Sequence, residues 1–501
     1  MTERGEAETG GQPNVAAYLL RGSGEATAII GRNGQYTYDQ VRDLVSRWQA
    51  HLVDAGVGPG DRVGIMTGNS IDFVAVHLAT MALGAATVPF NPASPAGELV
   101  PQLEMVDPTA VYVGPDTDFL WPSVATVNPD IADRRLGPLP ESAPESSYSV
   151  APVEVDTPAL LMFTSGTAGA SKPAILTHRN LASSLQSVIS QPVDFIGRPH
   201  TLLAVIPLFH VFGINMVLHL GLLLGAKVVL EDYSDPVRTL QLIRTHGATI
   251  VAGPPALWQR LIDAGAKASD FATVEMAVSG AAALPGALAV TVSDRLGIIL
   301  HDGYGLTESS AVGASTLGME DPPIGSVGHL LPGMEARIVD DDEHDCLVGD
   351  PGELWLRGPM ISPGYWGESA PHFSRTEDGW LRTGDQAVVD VDGCLAIVGR
   401  KKDLIIVSGF NVFPAEVEAA IASHPSVGQV GVVGEPSEST GEAVVAFIVP
   451  ANSATVDEAE IWAHCEERLA RYKIPHRFVI APSLPLGPTG KLRRNRLLEG
   501  L

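Results

Sequence analysis

The densest chemical signal in the chain is Phe163-Thr-Ser-Gly-Thr-Ala-Gly-Ala-Ser-Lys172, a loop of small residues that ends in a lysine. The apolar run from Ala159 to Phe163 delivers the chain into it. Small residues let backbone N–H groups crowd around phosphate oxygens, hydroxyls add donors, and the lysine adds a point charge. The spacing is neither the G-x-x-x-x-G-K-[ST] loop of common nucleotide hydrolases nor the G-x-G-x-x-G dinucleotide turn. On its own the segment reads either as an anion cradle or as a plain surface loop. Further along come Tyr304-Gly-Leu-Thr-Glu308, Thr383-Gly-Asp385, Gly399-Arg400 and Pro488-Thr-Gly-Lys491. Taken singly, an acid beside a glycine turn is usually only a turn. His210 stands in the apolar run Pro207-Leu-Phe-His-Val-Phe-Gly213, where a lone histidine is more often a satisfied core residue.

These residues need a scaffold, and the local patterns describe one. Thr37-Tyr-Asp-Gln40 reads as a capping box, followed by Val41, Leu44, Val45, Trp48 and Leu52 at helical spacing and by Gly56 as a stop. Asp61 to Met66 and Ala86 to Phe90 are short apolar runs typical of buried strands, and Ile71 to Leu83 between them is an apolar helix. Strands alternating with helices predict an α/β architecture with largely parallel sheets. The Pro/Ser-rich run from Leu139 to Pro152 reads as a loop between subdivisions. Beyond Gly325 short strands separated by Asp/Gly turns suggest a β-rich portion, with Ala336–Val339, Gly352–Arg357 and Cys394–Val398 as its strands. After the basic run Gly399-Arg-Lys-Lys-Asp403 strands and helices resume, which predicts a small, mobile α+β domain. The expected division is residues 1–399, a hinge at 400–402, and residues 403–501.

Composition narrows the class of function. The chain has 501 residues, 45% of them hydrophobic and 18% charged, enough for a sizeable core and too little charge for disorder. Its formal net charge is -26, a field that repels polyanions and argues against coating nucleic acid or lying on anionic lipid. A phosphate-bearing ligand must therefore be held by a local site. Cys346, Cys394 and Cys465 are far apart and odd in number, which argues against a disulfide framework or structural zinc. The segment Met1 to Gln12 is acidic and glycine-containing, unlike a targeting peptide, and is expected to stay mobile. The longest apolar stretch, Met216 to Leu230, is interrupted by His219 and Lys227. The expectation is a cytoplasmic small-molecule enzyme with no membrane span and no nucleic-acid partner.

Together and in this order the motifs stop being independent. With Pro207-Leu-Phe-His210, Gly253-Pro-Pro255, Ser279-Gly-Ala-Ala282, Asp378-Gly-Trp-Leu381 and Ser408-Gly-Phe-Asn-Val-Phe-Pro414, the chain resembles the adenylate-forming superfamily over essentially its whole length. That superfamily includes acyl-CoA synthetases, adenylation domains and luciferases. The resemblance implies a two-step reaction. A carboxylate attacks the α-phosphate of ATP to give acyl-AMP and pyrophosphate, and a thiol then attacks the acyl carbon and releases AMP. It implies ATP/AMP, Mg²⁺ and CoA as the small molecules used. By the same resemblance Lys491 reaches the carboxylate and α-phosphate, Thr307 contacts the α-phosphate, and Glu308 holds Mg²⁺. Thr164, Ser165, Gly166 and Thr167 with Lys172 hold the departing pyrophosphate. Asp385 accepts the ribose hydroxyls, Arg400 supports ribose and phosphate, and Ala281, Ala282, Asp302, Gly303 and Tyr304 frame the adenine. The small domain pivots at Lys402, and Ser408 and Gly409 shape the pantetheine tunnel in its second pose. His210 is the gate of an acyl pocket that includes Val211, Phe212, Gly280 and Gly305. The apolar neighbours of His210, with no acid placed to bind an α-ammonium, favour a free-standing ligase for an apolar acid over an amino-acid-activating domain.

The phosphate loop departs from the family pattern T-S-G-[TS]-T-G-x-P-K-G. Ala168 replaces a hydroxyl residue, Ser171 stands at the usual proline, and Pro173 replaces the glycine after the lysine. Proline removes an N–H and locks φ. Two lost bonds to a charged group, about 1.5–3 kcal/mol each, slow phosphoryl transfer by roughly 10²–10⁴. Two alternatives to a complete ligase follow. One is an enzyme with weak adenylation that thioesterifies an acyl-adenylate supplied by a partner enzyme, and the other is a non-catalytic acyl-AMP or nucleotide binder.

Overall fold

The computed structural model describes residues 13–140, 147–164, 171–193, 198–231, 235–367, 375–408, 410–437, 440–451, 455–487 and 492–498. The acidic N-terminal segment expected to be mobile, and part of the 139–152 loop, lie outside these residues. No helix among the described residues is long and apolar enough to cross a membrane.

The expected capping box forms. The Thr37 hydroxyl accepts from the Gln40 N–H at 3.2 Å, and the Gln40 side chain accepts from the Thr37 N–H at 2.9 Å. The helix Tyr38–Asp54 that starts there turns Val41, Val45, Trp48 and Leu52 inward, all fully buried. The helix Ile71–Ala82 is apolar all round, and every residue except Asp72 is buried. Such a helix can only lie between other layers. It packs on Tyr38–Asp54, and both belong to a core that also takes in residues from the two parallel sheets.

Among the described residues the first of these sheets has six strands, in the order Arg135–Leu136, Ala110–Val113, Arg62–Met66, Ala86–Pro89, Pro158–Thr164, Lys172–Thr177. All neighbours are parallel except the last pair. The second has nine strands, with a parallel centre running through Leu300–Tyr304, Met276–Ser279, Ile250–Gly253, Thr201–Ala204, Lys227–Leu230 and Thr27–Gly31. Parallel strands need both faces covered, which is why these segments read as unbroken apolar runs. The carboxyl ends of three neighbours, at Gly253, Ser279 and Tyr304, lie side by side, the usual place for a ligand crevice in such sheets.

A four-stranded antiparallel sheet follows, built from Glu335–Val339, Gly352–Arg357, Leu381–Val389 and Leu395–Arg400. Its last pair sets Asp385 directly opposite Arg400. The short helical turn Lys401–Asp403 comes next, and then a mixed five-stranded sheet built on the hairpin Val427–Ser437 and Gly441–Pro450. That sheet has its own core, centred on Val417, Ile421, Val432, Val444 and Ile461.

Candidate active site

A cavity of about 350 Å³ opens at the carboxyl ends of the parallel strands. Thr164, Tyr304, Thr307, Glu308, Tyr365, Thr383 and Arg400 stand in its walls, with Gly303, Gly305 and Ala281. Deeper in, the walls are Val188, Met216, Leu220, Ile250, Ala252, Met276, Val278, Leu317 and Leu331. Residues from four of the five segments that sequence reading singled out thus meet here, although 236 positions separate Thr164 from Arg400; the fifth, Pro488–Lys491, lies outside the described residues.

At one end Asp385 is not in the wall but lies behind two residues that are, Tyr304 and Arg400, with 3% of its surface exposed. One carboxylate oxygen accepts from the Tyr304 hydroxyl at 2.6 Å, and the other faces the Arg400 Nε at 3.0 Å. Thr383 locks the turn: its hydroxyl donates to the Leu354 carbonyl at 2.6 Å and accepts from the Asp385 N–H at 3.1 Å. Burial and the adjacent Asp385 carboxylate push the Tyr304 phenol well above its ordinary range, so it stays a donor. Asp302 sits behind Gly303 and is not part of the cavity wall; its carboxylate accepts from the Gly303 N–H at 3.0 Å. Burial pushes the Asp302 carboxyl up to about 7. Ala282 also lies off the wall, whereas Ala281 is on it in a left-handed conformation, φ 66°.

The other polar end is organised by the turn Thr307–Ser309. The Leu306 N–H donates to the Ser309 hydroxyl at 2.9 Å, and two successive left-handed residues follow, Ser310 (φ 57°) and Ala311 (φ 74°). This folds the chain back so tightly that a Cβ on Gly305 would stand 2.3 Å from the Ala311 carbonyl oxygen. The Glu308 carboxylate accepts from the Tyr365 hydroxyl at 2.6 Å, and its carbonyl accepts from the Ser362 N–H at 2.7 Å. Lys172 begins its strand exposed, with Nζ 5.6 Å from the centre of the Tyr365 ring. Tyr365 was not singled out from sequence, since Gly364-Tyr365 carries no pattern that distinguishes it from any other turn.

The loop itself, Ser165, Gly166, Thr167 and Ala168, lies outside the described residues, as do Gly409 and Lys491. Its two ends are described. The Thr164 hydroxyl donates to the Lys172 carbonyl at 3.2 Å, and Ser171, at the usual proline, donates its hydroxyl to the Thr164 carbonyl at 2.5 Å. Pro173 follows in the strand. Its carbonyl accepts from the Trp366 N–H at 2.9 Å, and the Ile175 N–H donates to the Gly364 carbonyl at 2.9 Å. A strand residue turns its N–H and C=O to the same side. The N–H that Pro173 lacks would therefore point toward residues 364–366, away from the paired strand that carries Thr164.

Glu308 is a lone carboxylate, and no group of three or more His, Cys, Asp or Glu able to hold a metal occurs among the described residues. That donor set does not fit a caged metal. It fits Mg²⁺, which typically takes one or two carboxylates and completes its shell with substrate phosphates and water.

On the apolar side His210, Val211 and Phe212 are all in the wall. The Phe212 N–H donates to His210 Nδ1 at 3.3 Å, which leaves the proton of neutral His210 on Nε2. A Cβ on Gly280 would stand 3.0 Å from the Phe212 ring, so glycine lets the ring lie flat against the strand end. The loop Pro207–His210 is held from the other sheet by Asn69. Its amide donates to the carbonyls of Ala204, Ile206 and Glu231 at 3.0–3.1 Å and accepts from the Leu208 N–H at 2.9 Å. Lys402 is exposed in the turn after Arg400, and Ser408 is left-handed (φ 51°), its N–H donating to the Thr440 carbonyl at 2.7 Å.

The AMP-binding enzyme family signature matches residues 18–366, and that of the AMP-binding enzyme C-terminal domain matches residues 416–491. The chain belongs to the AMP-binding enzyme family, as an adenylate-forming acid–thiol ligase of the acyl-CoA synthetase type. It is 34% identical to the 4-coumarate–CoA ligase-like 6 of Arabidopsis thaliana over 467 residues, covering 88% of this chain and 81% of that one. It is 28% identical to a long-chain-fatty-acid–CoA ligase of Bacillus subtilis (strain 168), covering 95% and 92%. Among solved structures, ATP-bound MatB from Rhodopseudomonas palustris superposes with a TM-score of 0.91 at 29% identity, covering 98% of this chain and 99% of that one.

Proposed function

We propose that the chain converts a monocarboxylic acid with an extended apolar tail into its CoA thioester through acyl-AMP, and that it carries out both steps itself. The observation that carries this is a single cavity that joins Arg400, the partner of Asp385, to a largely apolar wall. Among the described residues the charged side chains of the wall are Glu308, Arg382 and Arg400, and much of the remainder is apolar. Ile250 and Ala252 of the strand Ile250–Gly253 both line the cavity, about 7 Å apart at roughly 3.3 Å per residue, a stretch of apolar wall for a tail.

In the first step a carboxylate oxygen bonds to the α-phosphorus and pyrophosphate leaves. Asp385 and Arg400 hold the ribose, Thr307 contacts the α-phosphate, and Lys172 with the 164–167 loop receives the pyrophosphate. Lys491 brings a cation to the two converging anions. Glu308 would hold Mg²⁺, which when bound offsets phosphate charge. The division at residues 400–402 then serves as a pivot at Lys402 that withdraws Lys491 and brings Ser408 and Gly409 to the thiol path. In the second step sulfur bonds to the acyl carbon and AMP leaves with the oxygen it gained. Catalysis of this kind is positioning and charge stabilisation rather than covalent chemistry by the protein.

The direction of the Pro173 backbone supports an intact first step, since the missing donor faces away from the Thr164 strand. Pyrophosphate release with hexanoic, decanoic and hexadecanoic acids, and thioester formation from synthetic decanoyl-AMP and CoA, test the reading together. Both activities are expected, with decanoic acid favoured over hexanoic. Pro173→Gly is expected to change pyrophosphate release by less than about threefold, under 1 kcal/mol of barrier. A gain of tenfold or more, or thioester formation without pyrophosphate release, would show instead an enzyme fed by a partner; neither activity would leave a binder. Ala252→Phe fills the depth of the cavity and is expected to move the preference toward hexanoic acid, read as the ratio of kcat/KM for the two acids.

A further inference from the structure

The segment Phe212–His219 is a π-helix, with a wider turn than an α-helix, a form that often marks functional sites. One side places Phe212 and Met216 in the cavity wall. Asn215 and His219, four residues apart, are fully buried elsewhere on it.

There Asn215 sits in an ordered polar chain. Its Nδ2 donates to the Ser184 hydroxyl at 2.7 Å and to the Ser310 carbonyl at 3.0 Å. Its Oδ1 lies 3.1 Å from His219 Nδ1; His219 Nε2 lies 2.7 Å from His77 Nε2, and His77 Nδ1 lies 2.9 Å from the Thr87 hydroxyl. One proton arrangement pairs every atom. Because Asn215 gives away both amide hydrogens, its oxygen accepts from His219 Nδ1–H. His219 Nε2 then accepts from His77 Nε2–H, and His77 Nδ1 accepts from Thr87. Burial holds both imidazoles neutral, as this arrangement requires.

The far end of the chain matters because of where Ser310 lies. It is two residues beyond Glu308 and opens the left-handed pair that folds the Thr307–Glu308 turn back on itself. Ser310 also donates its hydroxyl to the Met360 carbonyl at 3.0 Å, so the turn is held on two sides.

We infer that Asn215 is a positioning residue for the first step: by gripping the Ser310 carbonyl it sets Thr307 and Glu308 toward the triphosphate, from a helix that also forms the wall of the acid's pocket. The inference rests on the phosphate-end assignment of Thr307 and Glu308. AMP lacks the pyrophosphate and the Mg²⁺ that Glu308 would hold; of this turn it meets only Thr307, at its α-phosphate, and otherwise depends on Asp385, Tyr304 and Arg400.

Calorimetric titration with Mg·ATP and with AMP, without any acid, separates the two. Asn215→Ala is expected to weaken Mg·ATP binding about tenfold and AMP binding by no more than about threefold, tenfold being ~1.4 kcal/mol. Ser184→Ala, which removes the other amide partner and spares the Ser310 bond, is expected to change neither by more than about twofold. Should Asn215→Ala be too unstable to titrate, Asn215→Ser keeps a partner for His219 but is too short to reach Ser310 as well, and the same split is expected. Unchanged Mg·ATP binding, an equal loss of AMP and Mg·ATP, or the same loss in Ser184→Ala overturns the inference. Wild-type protein that binds AMP but not Mg·ATP overturns the underlying phosphate-end assignment.

Discussion

Asp385→Ala lowers kcat/KM for ATP in pyrophosphate release by about 10³. The carboxylate is nearly sealed from solvent and already paired on both oxygens, by the Tyr304 hydroxyl and the Arg400 guanidinium. Removing it deletes the acceptor proposed for the ribose hydroxyls and leaves a half-buried guanidinium and an enclosed phenol without that partner. Bonds to charged groups contribute about 1.5–3 kcal/mol, so two of them give roughly 4 kcal/mol, near 10³ in rate. Asp385→Asn keeps one acceptor and the shape and is expected to lose only about tenfold. Thioester formation from decanoyl-AMP falls in parallel, because the ribose is held in both steps. A loss under tenfold for Asp385→Ala would place the ribose elsewhere.

The second large effect is acid lability. His77, His178 and His219 are fully buried, and burial pushes all three below the ordinary imidazole value of 6.5, His178 to about 4 and His219 to about 3. A depressed folded-state value stabilises the protein above pH 6.5, and that contribution is lost as pH falls toward the folded values. Asp302 acts with the opposite sign. Its raised value, about 7 against 3.8, gives stability that is present at low pH and lost as pH rises through about 7. Near pH 5 the unfolded chain carries three protons at these histidines, each already half-protonated at pH 6.5, and the native chain carries one at Asp302. The difference approaches two protons, about 2.7 kcal/mol per pH unit at its limit, and integrates to about 3 kcal/mol between pH 6.5 and 5. Against a typical 5–15 kcal/mol that is a large fraction. Urea unfolding at the two pH values checks it, and equal midpoints would contradict it.

Much of this was legible in the sequence, for reasons that differ from place to place. The Thr37 capping box and the strands around Arg62–Met66 and Ala86–Pro89 are local, so side-chain type and spacing suffice to find them. Asp385 and Tyr304 were named only by resemblance. Their contact spans 81 positions and exists because the antiparallel sheet brings its turn against the end of the parallel one. The apolar part of the cavity was invisible, because Ile250, Met276 and Leu331 look like any core residues until folding leaves a space beside them. Asn215 was lost in an apolar run for a related reason: a buried amide declares its role only through its partners. Pro173 reads differently at the two levels: residue type removes a donor beside the phosphate loop, while the strand direction, invisible in the sequence, turns that position toward residues 364–366.

The most direct test of the whole account labels the acid. With the favoured acid of the panel carrying ¹⁸O in its carboxylate, ATP and CoA are supplied and the AMP formed is weighed by mass spectrometry. Attack of the carboxylate on the α-phosphorus, followed by thiol attack on the acyl carbon, leaves a single ¹⁸O in AMP. Unlabelled AMP, or ADP in its place, would contradict the acyl-adenylate route.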